Sequence, residues 1–303
     1  MAFTAQDVKT LREMTGVGMM DCKKALQETD GDMDKAVDWL REKGLAAAQK
    51  KAGRIAAEGV AYADVINGIG VVVEVNAETD FVAKNEKFLD FVKGVAAVVA
   101  NVKPADLEAL MAAPYAEGKT VVEMQQEMVL VIGENISVRR FKFYEEGTSI
   151  PYIHAGGKIG VIVNMELEGV AADAVVELGK DIAMQIAAMR PSFLDKSEVD
   201  NSTLDKEREI LTAQAKQDPK NAGKPENIIE KMVTGHIGKF FETNCLLQQA
   251  FVKNGELSVE AYIADCAKTA GEMKLVAFVR FEKGEGLQKR EDDFAAEVAS
   301  MMK

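Results

Sequence analysis

Tyr62-Ala63-Asp64-Val65-Ile66-Asn67-Gly68-Ile69-Gly70-Val71-Val72-Val73 and Tyr152-Ile153-His154-Ala155-Gly156-Gly157-Lys158-Ile159-Gly160-Val161-Ile162-Val163 are the two stretches on which the fold turns. In each, a tyrosine is followed seven residues later by Ile-Gly and a β-branched run, at a constant offset of 90 residues. Apolar β-branched runs bounded by glycine read as buried strands, and Asn67-Gly68 and Gly156-Gly157 read as the hairpin turns before them. A helix with apolar periodicity follows each, Val92 and Ala96 in the first copy matching Ile182 and Ile186 in the second.

The closing segments match again. Gly133-Glu134 with Val138, Phe141 and Phe143 parallels Gly271-Glu272 with Val276, Val279 and Phe281, now at an offset of 138 residues. The change of offset implies about 48 additional residues in the second copy, beginning near Pro191. Within that segment Glu198 to Gln217 is charged and helix-prone, Lys216 to Lys224 is polar, and Ile229, Met232, Val233, Ile237 and Phe240 recur at helical spacing. The expectation is a duplicated α+β core carrying two antiparallel helices as an insertion; chance similarity between two β-rich segments is the alternative.

Before the core, Thr4-x-x-Asp7 resembles a capping box opening a helix with Val8, Leu11 and Met14 on one side. Gly16-Val17-Gly18 breaks it. Cys22, Ala25 and Leu26 mark a second helix, and Asp30-Gly31-Asp32 turns the chain into a third with Ala36, Val37 and Leu40, expected to end near Gly44. Residues 46–53, with Lys50 and Lys51, read as a basic linker, and 292–299 as a short terminal helix.

The 303 residues are 48% hydrophobic and 28% charged, with 37 Lys and Arg against 49 Asp and Glu, a formal net charge of −12. That balance fits a folded protein of roughly two domains with an appendage. It speaks against nucleic-acid binding as the main activity, which needs clustered cations, and suits a partner with a basic face. Cys22, Cys245 and Cys266, with His154 and His236, form no metal-ligand spacing and no disulfide framework. The opening residues lack a signal-type apolar core, and the apolar stretch Gly94 to Ala100 is too short to span a bilayer. A cytoplasmic protein without membrane association or cofactor is expected.

Asn76-Ala77-Glu78-Thr79-Asp80-Phe81-Val82-Ala83-Lys84-Asn85 places polar groups around one phenylalanine between a buried strand and a helix. Phe81 could turn inward as a staple, or stand out as a wedge beside the charge of Asp80. The equivalent stretch of the second copy, Glu166 to Ala171, has no aromatic, which favours a special role for the first. Adjacent Met19 and Met20 form either core or an adaptable contact surface. His154 is either a turn residue or part of a binding surface. Gly156-Gly157-Lys158 lacks the spacing of a phosphate loop. An enzyme would have to use Asp80 with Glu78 or Glu74, the only local pair of titratable groups. A binding module could instead present residues 16–20 alone to some other protein.

The motifs Leu11 to Leu26, Glu74 to Ala83, Ile132-Gly133-Glu134-Asn135-Ile136, His154 to Val161 and Asp293 to Ala299 resemble those of the elongation factor Ts family, nucleotide-exchange factors of the GTPase elongation factor Tu. Ala77-Glu78 is a small departure, since relatives often carry Cys-Gln or Ser-Glu there. The resemblance implies a ubiquitin-associated-like three-helix domain over 1–53 and a first core subdomain over 54–146. A second core subdomain would follow over 147–286, with a coiled coil inserted at about 191–238, and a C-terminal helical module over 287–303. It further implies nucleotide release without covalent chemistry. Thr79, Asp80, Phe81 and Val82 would form an intruding tip that disturbs the magnesium and phosphate site. Val17, Met19 and Met20 would make the N-terminal contact, and His154, Gly156 and Gly157 the contact of the second subdomain. Self-association into a homodimer through the inserted helices stays open.

Overall fold

The computed structural model describes residues 3–116, 118–221 and 223–288, so the terminal helix expected over 292–299 and nearly all of the 287–303 module lie outside the described residues. The chain begins with three helices, α1 (Ala5–Thr15), α2 (Met19–Glu28) and α3 (Met33–Lys51). The first half of the core follows as β1 (Glu58–Ile66), β2 (Ile69–Ala77), α4 (Glu86–Val102), α5 (Leu107–Ala112), β3 (Pro114–Ala116), β4 (Lys119–Thr120), α6 (Val121–Ile132) and β5 (Ser137–Tyr144). The second half comprises β6 (Thr148–His154), β7 (Ile159–Glu168), α7 (Val176–Met189), α8 (Asn201–Gln217), α9 (Glu226–Asn244), β8 (Ala250–Phe251), β9 (Asn254–Ser258), α10 (Val259–Ala270) and β10 (Glu272–Glu282).

The fold is α+β, with antiparallel sheets, and the two halves repeat each other. The sheet orders β1-β2-β5 and β6-β7-β10 are equivalent. Asn67 and Gly68, both at positive φ, join β1 to β2 as a two-residue hairpin, the backbone geometry that Asn-Gly favours. α6 and α10 start at matching caps, Thr120 and Ser258, and each follows a short two-stranded ribbon. α4 packs Phe88, Phe91, Val92, Val95, Ala96 and Val99 onto the first sheet, and α7 packs Ile182, Ala183 and Ile186 onto the second.

The two sheets meet face to face around Ala63, Val72 and Ile162. The glycines of the repeated Ile-Gly motif sit in that contact. A β-carbon on Gly160 would lie 2.9 Å from the carbonyl oxygen of Ala61, and one on Gly70 would lie 2.3 Å from Ser149 Oγ. Glycine serves here by its lack of volume, because the facing backbone at Gly160 and the Ser149 side chain at Gly70 leave no room for a β-carbon.

A buried carboxylate adds a polar tie between the halves. Glu74 on β2 is fully buried and accepts from Arg139 Nη1 at 2.9 Å, Arg140 Nε at 2.5 Å and the amide of Gly284 at 2.8 Å. Both arginines reach on to backbone carbonyls beyond or at the end of β10, those of Glu285 and Glu282. A charge that deep is tolerated only when its lone pairs are matched by cations and amides.

Three expectations are corrected. α3 does not end near Gly44 but runs to Lys51, replacing most of the expected linker, because its second half packs along α6. Gly44 is buried in that contact, where a β-carbon would stand 3.4 Å from the carbonyl oxygen of Gln126, and Arg41 pairs with Glu123 beside it. Met14 is exposed rather than part of the α1 core stripe, which is Val8 and Leu11. α9 continues six residues past 238, to Asn244, and the α8–α9 hairpin is closed at its base by the amides of Ser192 and Phe193 donating to the Asn244 carbonyl. The hairpin has its own small apolar seam of Leu211, Ala215, Ile229, Met232 and Val233.

Gly160→Ala should destabilise the protein by about 1–3 kcal/mol in urea unfolding, because the new methyl meets a backbone carbonyl that cannot yield without parting the sheets. Gly235→Ala, on the open side of α9, should be neutral or stabilising by up to about 1 kcal/mol in the same measurement.

Candidate functional site

The loop from Ala77 to Glu86 leaves the centre of the first sheet and enters α4. On either side of Phe81 it is held in the core by Ala77, fully buried, and Val82, 8% exposed. From Phe81 onward the chain makes a tight turn in which Lys84 N donates to the Phe81 carbonyl and Asn85 N to that of Val82. Asn85 then caps α4, its Oδ1 accepting from the amides of Lys87 and Phe88. Phe81 is left at the apex with 81% of its surface in solvent. No burial stabilises a ring in that position, so the fold itself gains nothing from its being aromatic.

Asp80 lies beside it, also exposed, with Oδ2 2.9 Å from Lys84 Nζ. The hydrogen bond from Lys84 and the charge behind it hold the Asp80 carboxyl below the usual carboxylate range. Thr79 and Val82 shape the loop rather than presenting free surface. Thr79 is half-buried, and its Oγ1 accepts from the Val82 amide at 3.4 Å.

The enzyme alternative loses its residues here. Glu74 is sealed under two arginines, and Glu78 accepts from the Asn135 amide at 2.6 Å and faces Arg54. Neither carboxylate is presented with Asp80 to a common cavity, and among the described residues no cluster of His, Cys, Asp and Glu is arranged to hold a metal ion.

The three-helix unit contributes a second exposed element near the same end of α4. Lys87 Nζ donates to the Gly16 carbonyl at 3.4 Å, drawing the α1–α2 turn against the first turn of α4. Met19 and Met20 open α2 with 50% and 74% of their surface exposed. Val17 departs from expectation. It is 2% exposed, in the apolar core with Leu11, Cys22, Ala25, Leu26 and Leu40, so its side chain is not available to a partner. The turn has one apolar residue that must close the small core, and the chain direction set by Gly16 at φ 68° delivers Val17 to it.

In the second half, His154 ends β6, exposed, with Nδ1 3.0 Å from Tyr152 Oη. Gly156 is open at φ 64°, whereas Gly157 is buried against Val60 of the other sheet, where a β-carbon would come within 2.8 Å. Gly157 is therefore part of the contact between halves and Gly156 part of the surface. Lys84, Lys87 and Glu134 also surround the tip, and their roles were not readable from the sequence. Only the i,i+4 spacing of Asp80 and Lys84 could have signalled one of them.

Comparison with known proteins bears on this arrangement. A family model described as Elongation factor TS matches residues 78–285, from the tip through the end of the second sheet. The chain is 52% identical over 305 residues to elongation factor Ts of Clostridioides difficile, covering 99% of each. It is 50% identical over 307 residues to elongation factor Ts of Syntrophotalea carbinolica, covering 100% of each. It is likewise 50% identical over 310 residues to elongation factor Ts of Trichlorobacter lovleyi, covering 99% of this chain and 98% of that one. With residues 78–285, more than half of the chain, matched by the family model, and the full chain by these relatives, the chain belongs to the elongation factor Ts family.

Proposed function

We propose that the protein is the guanine-nucleotide exchange factor of elongation factor Tu in translation elongation, and that Phe81 acts as the wedge that releases GDP. The observation that carries this reading is a large aromatic ring, four-fifths exposed, at the apex of a loop anchored in the core by Ala77 before it and Val82 after it. An exposed ring on a firm base can enter a partner without first paying to order itself.

A GTPase holds GDP through backbone amides around the phosphates and through magnesium. Phe81 driven between helices of the GTPase domain would favour a conformation in which the phosphate loop and the magnesium ligands are displaced. Asp80, charged and already hydrogen-bonding, would exchange Lys84 for donors of the partner. No bond in the protein is made or broken. By linkage, whatever weakens GDP binding weakens the factor's own binding to the GDP-loaded partner by the same factor.

Magnitudes require a distributed contact. A 10⁴-fold shift takes about 5.5 kcal/mol of differential binding, and one buried Phe supplies about 1.5–3 kcal/mol. Met19 and Met20 beside the α1–α2 turn, and His154 with Gly156 on the second half, are the exposed positions suited to supply the remainder. The rival in which residues 1–53 alone do the binding is disfavoured by the packing of α3 on α6, which makes the three-helix unit part of the core's surface. Among the described residues no helix is long and apolar enough to cross a membrane.

Phe81→Ala should slow release of fluorescent GDP from elongation factor Tu by about ten- to a hundredfold in stopped-flow measurements, with an unchanged melting temperature, as expected for losing about 1.5–3 kcal/mol from an exposed side chain. An unaltered release rate would refute the wedge. Replacing Met19 and Met20 together by Ala should instead raise the concentration of factor giving half-maximal release by about tenfold, while the saturating rate changes little.

A further inference from the structure

The base of the tip is closed by a carboxylate outside the loop. We propose that Glu134 is a positioning residue for nucleotide release: it caps the tip's backbone amides and so sets the direction in which Phe81 projects, a role that rests on the reading of Phe81 as the wedge.

Glu134 Oε2 accepts from the amides of Glu78 at 3.1 Å and Thr79 at 3.0 Å, and Oε1 accepts from Thr79 Oγ1 at 2.7 Å. The bond is returned, because Glu78 Oε1 accepts from the Asn135 amide at 2.6 Å. Asn135 Nδ2 donates to the Arg54 carbonyl at 2.9 Å, which brings in the segment after α3. Thr79 Oγ1, held by Glu134, in turn accepts from the Val82 amide. The chain of hydrogen bonds thus runs from Glu134 to Val82 and spans Phe81 from one side to the other. The support is itself anchored. Gly133, at φ 89°, ends α6 and turns Glu134 toward the loop, and Ile136, 1% exposed, fixes the following strand entry in the core.

The duplication provides an internal control. Glu272 occupies the position in the second half that Glu134 occupies in the first, each directly after a glycine that ends the preceding helix. Yet Glu272 lies within β10, exposed and paired in register with Glu168, and among the described residues its carboxylate accepts from no amide of the equivalent loop. That loop has no aromatic apex. The clasp accompanies the half that carries Phe81 and is absent from the half that does not.

An exposed ring has no packing of its own to orient it, so its direction is set by the backbone beneath it. Ionic hydrogen bonds to two successive amides are the strong kind and define a peptide plane. Loss of the clasp should therefore leave the ring present but poorly aimed.

The test uses full-length protein in four forms: wild type, Glu134→Ala, Phe81→Ala and the double variant, with release of fluorescent GDP from elongation factor Tu as the readout. Glu134→Ala is expected to lower the saturating release rate by about tenfold, in keeping with lost hydrogen bonds to a charged group. The double variant is expected to be no slower than Phe81→Ala alone, because Glu134 acts only through the ring. Losses that multiply, or an unaltered rate in Glu134→Ala, would overturn the proposal. Amide hydrogen exchange at Glu78, Thr79 and Val82 in the free protein provides a second arm independent of the partner. Faster exchange confined to these amides supports the clasp, and unchanged exchange refutes it. If Phe81→Ala alone has no effect on release, the wedge fails while the exchange arm still decides whether Glu134 holds the loop. Should Glu134→Ala fold poorly, Glu134→Gln keeps one acceptor oxygen and is expected to fall between wild type and Phe81→Ala in rate; a wild-type rate in folded Glu134→Gln counts against the charge.

Discussion

Two three-stranded sheets press together so closely at Ala61 and Gly160 that no β-carbon fits between them. The loop that carries Phe81 and the turn that carries His154 are both referenced to that contact. The tip grows from β2, the middle strand of the first sheet, while His154 and Gly156 stand at the end of β6 in the second. A contact between close-packed backbones has little compliance, so the exposed elements of the two halves are held at a set separation. Glu74 reinforces it from within the fold, joining β2 to the chain beyond β10 by charge-assisted bonds.

The distribution of rigidity around Phe81 follows from the same logic. An extended loop with a bare aromatic apex would ordinarily be mobile, since nothing buries the ring. Here Ala77 and Val82 are in the core, Asn85 starts α4 one turn later, and the Glu134 carboxylate takes the amides that the turn leaves unpaired. The arrangement concentrates exposure in one side chain and order in the backbone beneath it. A partner meeting such a surface bears little of the entropy of organising it.

Much of this was legible before the structure. The tyrosine and Ile-Gly spacing at the 90-residue offset located both central strands, β2 and β7, and the segment that the second offset added to the second half holds the helices α8 and α9. Thr4, Asp32 and Asn67-Gly68 behave as their local chemistry requires, because caps and two-residue turns depend on residues within one turn of each other. The failures share one cause. Gly44 read as a helix stop, but its missing β-carbon serves the approach of α6 at Gln126, far along the chain. Val17 and Gly157 were grouped with exposed neighbours, and each is drawn inward by a surface that arrives from elsewhere in the chain. Whether Phe81 faced in or out was undecidable from its flanks alone.

Sequence by itself determined the elements, their duplication, and the identity of the aromatic at the tip, since these follow from periodicity, turn chemistry and residue type over short separations. Only the tertiary structure decided which of those residues are free to touch another molecule and which carboxylate holds the tip in place. The reason is that exposure and long-range hydrogen bonding depend on distances between segments such as Glu134 and Thr79, and no local pattern encodes a distance across 55 residues of chain.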